Sequence, residues 1–172
     1  EIVSSFEDMD SRTIFLSRMA FGQTDVPLWK RQQFEDISFD QYTSLQHTAD
    51  VDEILCYNMW LPSQNLRYKD NLIEMVQMQA TTAEYPQVDP FKLAYGRYFN
   101  EYESHLGAPV IVVGYDIAEN LFGKADVAMG KQIRVMGNRA TVIGVIEKQG
   151  EGAFGQSRDN LAFIPINLGR SV

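Results

Sequence analysis

The chain has 172 residues with 15 Lys+Arg against 23 Asp+Glu, a formal net charge of −8, and 45% apolar residues. These globular proportions exclude disordered, collagen-like and low-complexity classes, and the acidic balance argues against nucleic-acid binding or docking on an anionic membrane. One Cys excludes a disulfide framework and any multi-cysteine metal site.

In chain order, an acidic opening at Glu7, Asp8 and Asp10 precedes Arg12–Leu16, which reads as a short strand. Phe21–Phe34 has Gly, Asp and Pro without a sustained period and reads as a long loop, a functional or mobile feature inside a compact domain. Ser38-Phe39-Asp40-Gln41 fits a capping box, and Phe39, Tyr42, Leu45 and Ala49 then share one helical face, with the helix ending near His47–Asp50. Ile54–Leu61 is a strand that Pro62 stops. Leu66–Tyr68 and Leu72–Ala80 flank a hairpin turn at Lys69-Asp70-Asn71; Val76, Met78 and Ala80 face a core and Gln77 and Gln79 face water. Ala83–Pro90 is a loop. Asn100 and Glu103 form a second capping pattern, Pro109–Val113 is a strand buried on both faces, and Asp116 caps a helix that stops at Gly123. Gly137-Asn138 is expected to turn a hairpin that pairs Arg134–Met136 with Arg139–Thr141. Gln149–Asp159 is a glycine-rich loop, and Leu161–Ile164 is a last strand closed by Pro165. Short strands interleaved with short helices give an α+β class in two small subdomains, separated by the loops near Phe21–Phe34 and Phe91–Arg97.

The sequence offers no expected catalytic, cofactor-binding or metal-binding residue. Gly130-Lys131 lacks the P-loop spacing and the Ser or Thr that would hold magnesium. Glu101, Glu103 and His105 would share a face only on a strand, whereas the capping pattern puts them on a helix. His47 sits at a helix end, Cys56 reads as a buried, inert thiol, and Gly155-Gln156-Ser157 fails the nucleophile-elbow pattern at Asp159. The aromatics Phe21, Trp29, Phe34, Tyr57, Trp60, Tyr68 and Tyr85 read either as core with aromatic rims or as an exposed contact patch for another protein. Trp29, in its aperiodic loop, and Trp60 are the candidate contact residues, with Gln149–Asp159 as a second candidate loop.

Three stretches in order carry a family resemblance: Gly96-Arg97-Tyr98-Phe99-Asn100-Glu101-Tyr102-Glu103; Pro109–Gly114 with Ile117–Gly123; and Gly130–Val135 with Ala140–Ile146. Together they resemble the MacB-like periplasmic core domain of FtsX-type permeases of ABC transporters. Two departures stand out: Asp126–Gly130 lacks the family's usual Pro and is one residue longer, and Asn100 replaces the usual Ser or Thr. The resemblance implies an extracytoplasmic domain of a bacterial inner-membrane permease across residues 1–172, with roughly 1–53 and 147–172 membrane-proximal and 54–146 distal. It implies a non-catalytic role, coupling a cytoplasmic ATP-binding subunit to a periplasmic adaptor, lipoprotein or substrate, in a homodimeric transporter, and it implies no cofactor and no nucleic acid.

The start at Glu1 and the absence of an apolar run of ~18–20 residues read as a soluble piece of something larger. The same resemblance implies a return segment after Val172. A free-standing periplasmic binding module of the same fold, and an enzyme using scattered carboxylates, remain the competing readings. Flanking apolar segments in the parent gene would separate the first from the permease.

Overall fold

The computed structural model describes residues 37–49, 53–150 and 157–171. The expected Arg12–Leu16 strand, the Phe21–Phe34 loop with Trp29, and the middle of the Gln149–Asp159 loop lie outside the described residues. The chain divides into two compact units, Glu1–Leu55 and Cys56–Val172.

In the first unit, helix α1 (Phe39–Gln46) forms for the local reason its sequence announces. The Ser38 side chain accepts from the Gln41 N–H (3.2 Å), and the Gln41 side chain accepts from the Ser38 N–H (2.9 Å). Tyr42 is buried, its hydroxyl directed to the Leu55 carbonyl, while Leu45 on the expected apolar face stays 40% exposed.

The second unit is built on β1 (Asn58–Tyr68) and β2 (Asn71–Thr81), the short helix α2 (Tyr85–Val88), β3 (Leu93–Gly96), α3 (Glu101–Leu106), β4 (Val110–Val113) and α4 (Tyr115–Phe122). A 3-10 turn at Ala125–Ala128 leads to β5 (Gln132–Val135) and β6 (Asn138–Ile146); β7 (Leu161–Pro165) and α5 (Ile166–Arg170) complete it. The strands form one mixed sheet in the order β3-β6-β4-β7-β2-β1-β5, parallel at β2–β7 and β4–β6. Because β5 also pairs with β6, the sheet closes on itself. The closing seam between β1 and β5 is a single residue pair, Arg67 with Arg134. Inside lie Leu66, Val76, Ile111, Ile133, Val135 and Val142, all at most 4% exposed.

Several expectations are corrected by this architecture. Residues 157–171 do not group with the N-terminal segment, because β7 hydrogen-bonds in parallel to β2 and antiparallel to β4 in the middle of the sheet. β1 begins at Asn58, not Ile54, and runs through Pro62. Proline is tolerated because the β1–β2 register is irregular between Leu61 and Gln64, and the β1–β5 pairing reaches only Arg67. The β1–β2 turn is the two residues Lys69-Asp70, with Lys69 at φ 52°, and Asn71 already pairs with Tyr68. The Asn71 side chain donates to the Leu121 carbonyl (2.7 Å), fastening this hairpin to the end of α4. Gln79 is buried at 3% because this end of β2 is covered on both faces, with Gly169 of α5 set directly against Ala80. The N-cap of α4 is Gly114, and Asp116 lies in the first turn, where its carboxylate meets Lys148 Nζ at 3.1 Å.

The β5–β6 turn lies one residue earlier than expected, so each strand residue's partner is shifted by two positions and the faces are preserved. Met136 (φ 50°) and Gly137 (φ 76°) are the turn residues, and Val135 pairs with Asn138, Arg134 with Arg139. With both central residues at positive φ the turn is of the primed type, and this register puts glycine at its second position, where glycine is most favoured. A Cβ on Gly137 would meet open space, so the penalty for a side chain there is conformational alone. Gly137→Val is expected to lower stability by about 1–3 kcal/mol, read as a shifted urea midpoint with an unchanged slope. An unaltered midpoint would remove the turn assignment.

Candidate functional site

Two of the stretches that carry the family resemblance, at Gly96–Glu103 and at Ile143–Gly144, meet where β3 leaves the sheet. The Arg97 N–H donates to the Ile143 carbonyl at 2.9 Å. Gly96, at φ 75°, lies so close to Ile143 that a Cβ would run into its carbonyl, and a Cβ on Gly144 would run into the carbonyl of Arg97. Two glycines therefore permit one backbone crossing. Directly beyond it, Asn100 and Glu103 complete a reciprocal capping box on α3, with 2.9 Å and 3.0 Å hydrogen bonds. The Arg97 guanidinium grips the Glu103 carboxylate with both forks, at 2.6 Å and 2.8 Å.

Beneath this crossing is an aromatic cluster. Phe91 stacks on Phe163 with ring centroids 5.5 Å apart, and Tyr98, Phe99 and Tyr85 pack around them. Tyr98 and Thr81 share a hydroxyl hydrogen bond, and burial raises the tyrosine well above its ordinary pKa. Tyr85, one of the candidate contact aromatics, belongs to this core at 8% exposure, with its hydroxyl on Asp89 (2.8 Å). Arg158 pairs with Asp89 above the Phe91 ring. Cys56 packs against the same cluster, and burial pushes its thiol up to about 11, which suits an inert thiol and not a nucleophile.

Asp159, at the end of the glycine-rich loop, has a structural role. It is 2% exposed, and its carboxylate accepts the N–H groups of Gln149 (2.9 Å) and Gly150 (2.8 Å), so it ties one end of the loop to the other. Nothing in the local sequence distinguishes it from the other carboxylates. The remaining candidates are scattered. Glu101 and His105 sit on α3, with Glu103 held by Arg97; His47 is the residue after α1; and Gly130-Lys131 form a turn, with Gly130 at φ 73°. No group of three or more metal-ligating side chains occurs among the described residues. Of the candidate contact aromatics, Trp60 is exposed at 57% on β1, and Tyr57 and Tyr68 are half-buried.

A mixed sheet closed on itself, with short helices between its strands, defines an α+β domain. The family model described as the MacB-like periplasmic core domain matches residues 1–172, and the chain belongs to that family. It is similar to the macrolide export ATP-binding/permease protein MacB of Rhodospirillum rubrum, with 32% identity over 89 residues, 52% of this chain and 14% of that protein. It is also similar to the pyoverdine export protein PvdT of Pseudomonas savastanoi pv. phaseolicola, with 26% identity over 131 residues, 76% of this chain and 20% of that one. The chain therefore corresponds to a small part of the relatives it matches. In fold it resembles the extracellular domain of the transporter YknZ from Gram-positive bacteria, with a TM-score of 0.64, 21% identity, and coverage of 78% of this chain and 65% of that one. The periplasmic region of MacB from Actinobacillus actinomycetemcomitans gives the same TM-score of 0.64 at 15% identity, covering 80% and 59%. No helix among the described residues is long and apolar enough to cross a membrane.

The Arg97 guanidinium hydrogen bonds are the leading reason Glu103 is held below the ordinary carboxylate range; burial opposes them, and the Asn100 N–H assists. The folded value lies below the unfolded value of about 4.3, so this stabilisation is complete above that pH and is lost as pH falls through the folded value. Arg97 is 55% exposed, so Arg97→Ala is expected to cost only about 1 kcal/mol near neutral pH. Denaturation midpoints between about pH 5 and pH 3 should fall more steeply in the wild type than in the variant. Parallel pH profiles would show that the pair contributes nothing.

Proposed function

We propose that this domain is the non-catalytic extracytoplasmic part of an ABC transporter permease and works by contact and movement, coupling a cytoplasmic ATPase cycle to the handling of a periplasmic partner or substrate. The observation that carries the reading is the state of the motif side chains. Arg97 holds Glu103, Glu103 holds the Asn100 N–H, and Asn100 holds the Glu103 N–H, so each is engaged in fixing the β3–α3 junction. Such an arrangement favours a body that transmits force over one that performs a reaction. Relatives named for macrolide export and for pyoverdine export share this domain at 32% and 26% identity, which argues for a role common to both instead of a substrate pocket particular to either. Partners on this reading are the ATP-binding part of the transporter, a second permease copy, and a periplasmic adaptor or lipoprotein.

The test uses the whole transporter in proteoliposomes, compared with a version in which this domain is replaced by a short flexible linker. ATP hydrolysis should persist within about threefold, because the ATPase lies elsewhere, while ATP-driven export of whichever of macrolide or pyoverdine the intact transporter carries should fall to background. Export that survives removal of the domain would overturn the coupling role. Turnover of a substrate by the isolated domain would overturn the non-catalytic one.

A further inference from the structure

The seam that closes the sheet carries an unusual charge arrangement. Arg67 on β1 lies directly opposite Arg134 on β5, and Arg134 lies directly opposite Arg139 on β6. Residues paired across adjacent strands point to the same face, so the three arginines form one row, and all three are exposed. None of them is ion-paired to a carboxylate among the described residues, although the chain carries 23 carboxylates and a net charge of −8. Arg67 uses its Nε only on the Lys69 carbonyl (3.0 Å). Like charges directly opposite one another destabilise a sheet. Here they sit at the one residue pair that joins β1 to β5, where the fold has least reason to accept repulsion.

We propose that Arg67, Arg134 and Arg139 form a docking row for an acidic helical segment of a partner protein. The spacing fits: directly opposed side chains are about 5 Å apart across strands, and carboxylates at i, i+4 and i+8 on a helix recur at about 5–6 Å. Each guanidinium presents a planar fork suited to a carboxylate. Leu72, opposite Arg67 and 51% exposed, extends the row by one apolar position. An anionic bilayer fits less well, since a broad surface would meet the whole acidic domain, whereas a helix about 10 Å wide meets the row alone. Binding would neutralise the repulsion at the seam, so occupancy and closure of the sheet support each other. The inference stands on register and charge, independently of the coupling role.

The test is an NMR titration of the 172-residue chain at low salt, following the arginine Nε–Hε resonances. The probe is an alanine-rich helix of about 20 residues carrying Glu at i, i+4 and i+8, with a Gln-substituted control. Shifts should localise to Arg67, Arg134 and Arg139, and binding should weaken with salt and be absent for the Gln peptide. The Arg67→Gln, Arg134→Gln, Arg139→Gln triple variant should lose at least about tenfold in affinity while its Tm equals or exceeds the wild type, because repulsion has been removed. Equal binding of both peptides, shifts located elsewhere, or a lowered Tm with unchanged binding would each overturn the proposal. Binding to phosphatidylglycerol vesicles without binding to the Glu peptide would also overturn it, in favour of a membrane surface.

Discussion

The close passage of the Tyr95–Arg97 backbone over Ile143 and Gly144 is the constraint on which the second unit depends. It requires glycine at two separate places, Gly96 and Gly144, because a side chain at either would collide with backbone of the opposing segment. Once the crossing is made, the Arg97 N–H is bonded to Ile143, the Arg97 side chain is delivered to Glu103, and α3 is capped by Asn100. Phe99, at 2% exposure, is carried into the aromatic cluster by the same turn. Packing, capping and ion pairing at this junction are therefore consequences of one steric permission. The exposed ion pair is the weakest of the three contributions, since such pairs are worth about 0–1 kcal/mol.

The two ends of β6 serve different tasks. Its C-terminal half receives β3 and makes the crossing, while its N-terminal half receives β5 and closes the sheet. The first is secured by buried backbone and aromatic packing; the second hangs on one pair of arginines between β1 and β5. Stability is thus unevenly distributed: the seam is the place where a partner could alter the domain at low energetic cost, and the β3–α3 junction is the place that holds shape.

What was legible in the sequence was local. Both capping boxes, Ser38 with Gln41 and Asn100 with Glu103, are encoded within four residues and appear as read. The β5–β6 hairpin was legible as an element, but its turn lay one residue away, because Gly137 can occupy either central position and only the pairing decides between them. Sheet order was not legible. β7 follows a glycine-rich loop, and its ladder to β2 is parallel and links residues far apart in sequence, so chain order does not reveal its partners. The arginine row was invisible for the same reason: Arg67 is 67 positions from Arg134, and their opposition exists only in the closed sheet. Asp159 shows a further limit, since its role depends on two backbone N–H groups that any acidic residue in the right place could have taken.

If the proposed coupling role holds, the Cys56–Val172 unit moves as one stiff body during the transport cycle. Pulsed electron paramagnetic resonance on the whole transporter tests it directly, with labels on cysteines introduced at the exposed positions Gln87 and Lys124. Cys56 can stay in place, because burial raises its thiol to about 11 and slows its labelling. The distance between the two labels is expected to stay the same within about 2 Å between the nucleotide-free and vanadate-trapped states, while the distance from either label to the membrane-embedded part changes by more than that. A changed distance between Gln87 and Lys124, with no displacement of the unit against the membrane part, would contradict it.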